Sequence, residues 1–214
     1  LSTATSTVQR WQTAESKVVK AEAEKASAEL SFLKAQSNPH FLFNTLNNIY
    51  TQSVINSEHT SESIMKLSNI MRYVTDDVTQ DFVMLKDEID CVRDYIELQM
   101  LRLGVDAEIN FNVEGKPDGK NIAPLIFMTF IENAFKYGVT KKEKTIININ
   151  LRIDNEKIDF SCQNKIYVHK SNLERSGIGI VNTRQRLEHL YPNRFKLDIK
   201  NVNEMFSVNL SVNC

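Results

Sequence analysis

The spacing of apolar residues changes halfway along the chain, and this change limits the possible folds more than any other feature. Before Gly104, apolar residues recur every three or four positions, which is the period of an amphipathic helix. From Val105 onward they alternate with polar residues, as they do in strands that bury one face. The sequence therefore predicts a helical part followed by a part that contains a sheet.

The helical part is predicted to begin with a solvated or weakly coiled helix over residues 11–36, which contain no Gly or Pro. Asn38 and Pro39 interrupt it, because Asn caps helices well and Pro suits the first helical position. Further helices are expected over residues 39–54, 64–74 and 85–103. Long helices with incomplete cores favour pairing between chains, and a dimeric four-helix bundle is the simplest arrangement.

The second part is predicted to be an α+β sandwich, with a mixed sheet and helices on one face. Alternating apolar residues predict strands over residues 105–113, 147–153, 158–162, 195–199 and 206–212. A turn at Asp154 and Asn155 joins two of these strands into a hairpin. Helices are expected from Pro124 to Gly138 and from Ile178 to Leu190.

Composition argues against several classes of protein. The net charge of -1 provides no basic field of the kind that binds nucleic acid. The three cysteines are far apart and in no metal-ligand spacing, so we expect reduced thiols in the cytosol. No apolar run approaches the ~18 residues of a membrane span. Because the chain begins at Leu1 rather than Met, we expect a fragment whose missing N-terminal part can hold a membrane segment.

His40 lies in the first of three segments that can carry chemistry, Asn38 to Leu46. A histidine among apolar residues is more often a core residue with a satisfied ring. Here, however, Pro39 fixes the local backbone, and Asn44 follows one turn later on the same face, where its amide can orient the ring. A neutral imidazole is a competent nucleophile toward phosphorus. Spacing alone leaves both interpretations open.

The second segment runs from Phe130 to Gly138. On a helix, Asn133, Lys136 and Tyr137 project to one side. An Asn carbonyl can bind Mg²⁺, a Lys beside it can meet phosphate charge, and Glu132 adds a carboxylate. The alternative is the solvated polar face of an ordinary amphipathic helix.

The third segment contains Gly177 and Gly179 at the start of a predicted helix. Glycine lets the backbone approach a ligand closely, and a helix N-terminus offers free N–H groups to phosphate oxygens. The polar stretch of residues 165–176 is either a lid that orders over a nucleotide or a long surface loop. A Gly-x-Gly by itself is a weak signal, and a plain loop-to-helix junction explains it equally well.

Taken in order, the three segments resemble the LytS/YehU-type sensor histidine kinases. Residues 38–44, Asn-Pro-His-Phe-Leu-Phe-Asn, are similar to the phosphoacceptor box of that family. Residues 132–138 resemble the N box of the GHKL-type ATPase fold, and residues 177–192 resemble its second glycine box. The resemblance extends over nearly the whole chain from about Leu30.

The resemblance implies a role for each matching residue. His40 would accept the phosphoryl group. The residues themselves, rather than the resemblance, suggest Asn44 as an orienting residue and Glu132 as a further catalytic residue. Asn133 would coordinate Mg²⁺ between the phosphates. The residues implied in ATP binding are Asn133, Lys136, Tyr137, Gln163, Asn164, Gly177 and Gly179.

One glycine box departs from the family pattern, which is Asp-Asn-Gly-x-Gly. Here Gln163 replaces the Asp that reads the adenine amino group, Asn164 fits the pattern, and Lys165 replaces the glycine. A Gln accepts the hydrogen bond without charge assistance, which costs about 1–2 kcal/mol. Weak ATP binding or a changed adenine contact is the expected consequence.

The resemblance implies the cytoplasmic catalytic core of a two-component sensor histidine kinase, held at a bacterial inner membrane by its missing N-terminal part. It divides the chain into a linker or coiled-coil helix (1–36), a helical dimerisation and histidine phosphotransfer domain (37–104) and an ATP-binding domain (105–214). The homodimer would phosphorylate His40 from ATP with Mg²⁺ and pass the group to an aspartate of a response regulator of the LytTR type. Two alternatives stay open: an ATP-binding pseudokinase that serves as a dimer scaffold, and a hydrolase that uses Glu132 to activate water.

Overall fold

The computed structural model describes residues 39–77, 80–103, 107–140, 143–167 and 177–213. Their helices are α1 (Pro39–Val54), α2 (Thr60–Arg72), α3 (Leu85–Leu103), α4 (Met128–Gly138) and α5 (Gly177–Leu190). Their strands are β1 (Val83–Met84), β2 (Ala107–Glu114), β3 (Asn121–Ile122), β4 (Thr145–Ile153), β5 (Lys157–Lys165), β6 (Phe195–Val202) and β7 (Met205–Asn213). Contacts divide the chain into two compact units, Leu1–Tyr50 and Thr51–Cys214. The helix predicted over residues 11–36 lies outside the described residues, and no helix in the described part is both long and apolar enough to cross a membrane.

Residues 39–50 of helix α1 belong to the first unit, and its last residues belong to the second. The helix predicted over residues 39–54 is confirmed. Phe41, Thr45 and Ile49 recur every four residues and are all buried. Its exposed large apolar residues within this unit are Phe43, Leu46 and Tyr50. Helix α1 therefore carries apolar side chains on more than its buried face.

Helices α2 and α3 pack against each other in the second unit. Between them, Asn69 Nδ2 donates to Asp94 Oδ2 at 3.0 Å, and Lys66 Nζ lies 2.7 Å from Glu97 Oε2. The helix predicted over residues 64–74 instead runs from Thr60 to Arg72 and passes into a π-helical turn, Tyr73–Asp77. Such turns are rare and often accompany a functional contact.

A mixed five-stranded sheet in the order β2-β4-β5-β7-β6 forms the base of the second unit. Strand β2 is parallel to β4, and the other neighbours are antiparallel. On one face, alternate residues such as Ile147, Ile149 and Leu151 are buried. On the other face, Asn110 Nδ2 donates to Asn148 Oδ1 across strands at 2.9 Å. Alternation along each strand thus gives the sheet one apolar face and one polar face.

Helix α4 covers the apolar face of the sheet. The Phe127 ring, just before α4, stacks on Phe160 of β5 with ring centroids 4.8 Å apart. Helix α3 packs beside α4, where the Tyr95 and Phe135 rings meet edge to face at 5.8 Å. Helix α5 adds the fully buried Leu187 next to β6. The predicted α+β sandwich, a mixed sheet with helices on one face, is confirmed.

The start of α4 differs from the prediction. The sequence places it at Pro124, but the helix begins at Met128, because the intervening residues form turns. Leu125 has φ 57°, a left-handed conformation that a right-handed helix cannot contain. The two-residue antiparallel ribbon of β1 and β3 is also missing from the prediction, since two residues give no alternation to detect.

Gly138, the last residue of α4, allows the helix to approach strand β5 closely. A Cβ atom added there would lie 2.7 Å from Nδ2 and 2.9 Å from Cβ of Asn164. We expect Gly138→Ala to lower the free energy of unfolding by about 2 kcal/mol, because overpacking forces the helix or the strand to move. Gly179→Ala is the matched control, since among the described residues its Cβ would meet only Thr129 Cγ2 at 3.5 Å. Urea denaturation compares the two variants, and an equal effect in both would contradict this packing.

Candidate nucleotide and phosphoacceptor sites

Helix α4 carries three residues that are predicted to bind ATP. Asn133 is half-buried, and Tyr137, one turn later on the same side, is buried. Lys136 is exposed, with its Nζ 5.0 Å from the centre of the Tyr137 ring. The helix therefore presents an amide, a phenol and an ammonium group within about one turn.

Asn164 of β5 lies against the end of α4. Its side chain is only 1% exposed, and its Nδ2 donates to the Lys165 carbonyl at 2.9 Å. The Oδ1 atom of Asn164 and the hydroxyl of Tyr137 are buried, and neither has a hydrogen-bond partner among the residues that the structure describes. An unsatisfied buried polar atom costs about 1–3 kcal/mol. A polar partner at either atom would therefore be favourable.

Gln163 lies on the opposite face of the sheet. Successive strand residues alternate in direction, and Gln163 pairs with Asn148 and Ser207 on the polar side, where it is exposed. The structure therefore separates Gln163 from Asn164, although the sequence analysis placed both in one ATP site. Asn164 shares the inner face with buried Cys162, so it is the residue of this box that faces α4.

Lys165 is held by side chains that the sequence analysis did not single out. Its Nζ lies 2.9 Å from Glu143 Oε2 and 5.0 Å from the centre of the Tyr167 ring. The hydrogen bond to Glu143 raises the pKa of Lys165. Tyr167 N donates to Tyr137 O at 3.0 Å, which ties the end of β5 to the last turn of α4. These residues meet only through the fold, so no spacing in the sequence could have connected them.

Gly177 and Gly179 lie in the first turn of α5. Thr183 Oγ1 lies 3.1 Å from Thr129 Oγ1, which joins this helix to the start of α4. The first N–H groups of a helix lack partners within the helix, so this turn can donate to phosphate oxygens. Most of the stretch predicted as a lid or surface loop, residues 168–176, lies outside the described residues.

Glu132 precedes Asn133 on α4 and is half-buried. It acts electrostatically on Tyr95 of α3, whose hydroxyl accepts a hydrogen bond from Gln99 Nε2 at 2.9 Å. Burial raises the pKa of Tyr95, and the charge of Glu132 raises it further.

No group of three or more His, Cys, Asp or Glu side chains in the described ranges is arranged to hold a metal. Mg²⁺ at a nucleotide usually takes one or two protein oxygens and completes its shell with phosphates and water, so the oxygens of Asn133 and Glu132 fit such an ion.

His40 and Asn44 belong to the first unit, whereas all the predicted ATP ligands belong to the second. His40 is the second residue of α1, directly after Pro39, and Asn44 follows one turn later. The described structure thus places the predicted phosphoacceptor at a helix start. It brings Asn133, Tyr137 and the residues around them together elsewhere in the chain.

The chain is similar to known histidine kinases in sequence. Residues 28–107 match the profile of the Histidine kinase family. The Staphylococcus aureus protein LytS, named a sensor histidine kinase/phosphatase, is 34% identical over 117 residues in strain MRSA252 and in strain N315. The match covers 55% of this chain and 20% of LytS, so the chain spans about a fifth of the length of these curated relatives.

Similar solved structures include the nucleotide-free catalytic domain of histidine kinase ThkA, with a TM-score of 0.48, 14% identity and coverage of 63% of this chain and 98% of that one. The Acinetobacter baumannii histidine kinase AdeS has a TM-score of 0.45 and 10% identity, and covers 84% of this chain and 96% of its own. The match of residues 28–107 to the histidine kinase family and the identity to LytS confirm the resemblance drawn from the sequence.

Proposed function

We propose that this chain is the catalytic part of a two-component histidine kinase. It binds ATP with Mg²⁺, transfers the γ-phosphoryl group to His40, and passes that group to an aspartate of a response regulator of the LytTR type. The match of residues 28–107 to the histidine kinase family carries the proposal, because that segment contains His40. The place of action is the cytoplasmic side of a bacterial inner membrane.

The buried polar atoms without a described hydrogen-bond partner, Asn164 Oδ1 and the Tyr137 hydroxyl, suit an adenine base. Asn164 Nδ2 is already bonded to the Lys165 carbonyl, so the amide offers its Oδ1 as an acceptor. The adenine amino group is a donor and satisfies that atom, whereas the carbonyl of guanine does not. Asn164 thus takes the role that the sequence analysis gave to Gln163. The Tyr137 hydroxyl, which is also buried without a partner in the described part of the chain, would supply a second polar contact.

The phosphates would lie between α4 and the first turn of α5. The Asn133 carbonyl would hold Mg²⁺, which neutralises phosphate charge when bound, and Glu132 adds a second oxygen ligand or a proton acceptor. Lys136 contributes a positive charge. The N–H groups around Gly177 and Gly179 would donate to phosphate oxygens.

Transfer to His40 needs little covalent help from the protein. In the neutral imidazole one ring nitrogen carries no proton, and its lone pair attacks the γ-phosphorus. A nitrogen–phosphorus bond forms, the bond from phosphorus to the bridging oxygen breaks, and ADP leaves. Asn44 would orient the ring, so catalysis rests mainly on positioning and charge neutralisation.

Incubation with γ-labelled ATP and Mg²⁺ tests the proposal. We expect an acid-labile, base-stable label on the wild-type chain and no label on His40→Ala, because the nucleophile is then missing. His59→Ala is the matched control, since His59 is exposed in the turn before α2 and should keep the label. The label should leave the chain when a cognate receiver domain is added.

Other results of this labelling experiment favour other functions. A label that survives His40→Ala would contradict the assignment of the phosphoacceptor. Tight ATP binding by the wild type with no label would favour a pseudokinase scaffold. Phosphate release that does not depend on His40 would favour a hydrolase.

Gly179→Ala distinguishes an effect on nucleotide binding from an effect on folding. Within the part of the chain that the structure describes, the added Cβ makes one ordinary contact, with Thr129 Cγ2. It would nevertheless occupy the space in which a phosphate approaches the backbone. We expect Mg-ATP to bind about tenfold more weakly, as measured by equilibrium titration. Val181→Ala, an exposed change on the same helix, is the control and should bind ATP like the wild type. Unchanged affinity in Gly179→Ala would remove this turn from the site.

The exposed apolar residues of α1 and α2 support the proposed homodimer. Phe43, Leu46 and Tyr50 on α1 are 68%, 52% and 71% exposed, and Ile64 and Met71 on α2 are also exposed. Apolar stripes of this kind on helices favour burial in a helix bundle between two chains.

We therefore expect Leu46→Glu to shift the chain from dimer to monomer in sedimentation experiments, because it places a charge in the proposed interface. Ile146→Glu is the control, since Ile146 is exposed on strand β4 and should leave the dimer intact. A wild-type chain that sediments as a monomer at micromolar concentration would contradict the dimer.

A further inference from the structure

Glu88 of α3 is a fully buried carboxylate that the proposed reaction does not use. Its Oε2 accepts hydrogen bonds from the Tyr73 hydroxyl at 2.5 Å and from Leu125 N at 2.8 Å, and its Oε1 accepts one from Phe127 N at 3.3 Å. Tyr73 begins the π-helical turn at the end of α2. One side chain of α3 is therefore bonded both to the end of the preceding helix and to the turn that starts α4.

The turn that Glu88 holds is strained. Leu125 adopts φ 57°, a conformation that is unfavourable for a bulky residue and persists only where surrounding contacts impose it. Arg186 of α5 donates from Nη1 to the carbonyl of Pro124, the residue before Leu125, at 2.7 Å. Tyr191, just after α5, accepts a hydrogen bond from Ala123 N at 2.8 Å. The turn is thus hydrogen-bonded by a side chain of α3, by a side chain of α5 and by the residue that follows α5.

Glu88 and Arg186 carry opposite charges and influence each other electrostatically. Burial raises the pKa of Glu88, while its three hydrogen bonds and the positive charge of Arg186 act in the opposite direction. Burial lowers the pKa of Arg186, and the negative charge of Glu88 opposes that shift. Each group is therefore the electrostatic partner that makes the burial of the other tolerable.

We infer that Glu88 is a positioning residue for the nucleotide site, an inference that rests on the proposed function. Helix α4, which carries Asn133, starts directly after the turn that Glu88 holds, and α5, which carries Gly179, bears Arg186. The two helices that bring ligands to the phosphates are thus placed relative to one carboxylate on α3. Glu88 itself touches neither ATP nor His40 in this account.

Glu88→Gln tests the inference because it keeps the size of the side chain and removes its charge. In the nucleotide-free chain we expect the amides of Leu125 and Phe127 to exchange hydrogen at least about tenfold faster. We also expect Mg-ATP to bind about tenfold more weakly. Glu97→Gln is the matched control, since Glu97 lies on the same helix, pairs with Lys66 and should change neither quantity.

Tyr73→Phe provides a milder variant in case Glu88→Gln fails to fold. It removes one hydrogen bond to Glu88 and should weaken Mg-ATP binding by about threefold, with faster exchange at the same two amides. Where both variants fold, the double variant should bind like Glu88→Gln alone, because the two side chains act through one contact.

Several results would overturn the inference. Unchanged exchange at Leu125 and Phe127 in both variants would show that Glu88 does not hold the turn. Faster exchange with wild-type affinity for Mg-ATP would show that the turn does not position the site. A wild-type chain that binds no Mg-ATP would refute the proposed function, and the positioning role with it, whatever the exchange rates show.

Discussion

One buried carboxylate, Glu88 of α3, contacts the residue that ends α2 and the turn that precedes α4. Burying the charge of Glu88 costs on the order of several kcal/mol unless hydrogen-bond donors surround the carboxylate. The Tyr73 hydroxyl, two backbone N–H groups and the charge of Arg186 meet that requirement. These groups come from the end of α2, the turn before α4 and the middle of α5, so three elements meet the electrostatic requirement of one side chain. Helix α4 then covers the apolar face of the sheet.

Much of this fold could be predicted because it depends on local alternation. Residues 147–153 alternate between buried and exposed in the structure as they alternate between apolar and polar in the sequence. The predicted helix at Pro39 likewise follows from a local signal. The left-handed Leu125 could not be predicted, since residues far away in the sequence impose it. The pair of Lys165 and Glu143 was missed for the same reason.

In the candidate site too, the sequence motif identifies residues, whereas only the fold shows which of them face each other. Motif alignment selected both Gln163 and Asn164, but only the direction of the side chains on β5 shows that Asn164 alone faces α4. A neutral amide forms a weaker hydrogen bond with adenine than a carboxylate does. Affinity in this chain would then depend more on the Tyr137 hydroxyl and on the phosphate contacts. Because Tyr137 and the phosphate ligand Asn133 both lie on α4, the position of the start of that helix would then matter more for ATP affinity.

We propose that Asn133, Asn164 and the first turn of α5, with Gly177 and Gly179, form one ATP site. An NMR titration of the ¹⁵N-labelled chain with Mg-ATP follows the side-chain amide of Asn164 together with the backbone amides of Asn133 and Gly179. The account predicts that all three signals move with one dissociation constant, and that Mg-GTP leaves the Asn164 side chain unmoved. Equal responses of Asn164 to both nucleotides, or movement at Gly179 with none at Asn164, would contradict it.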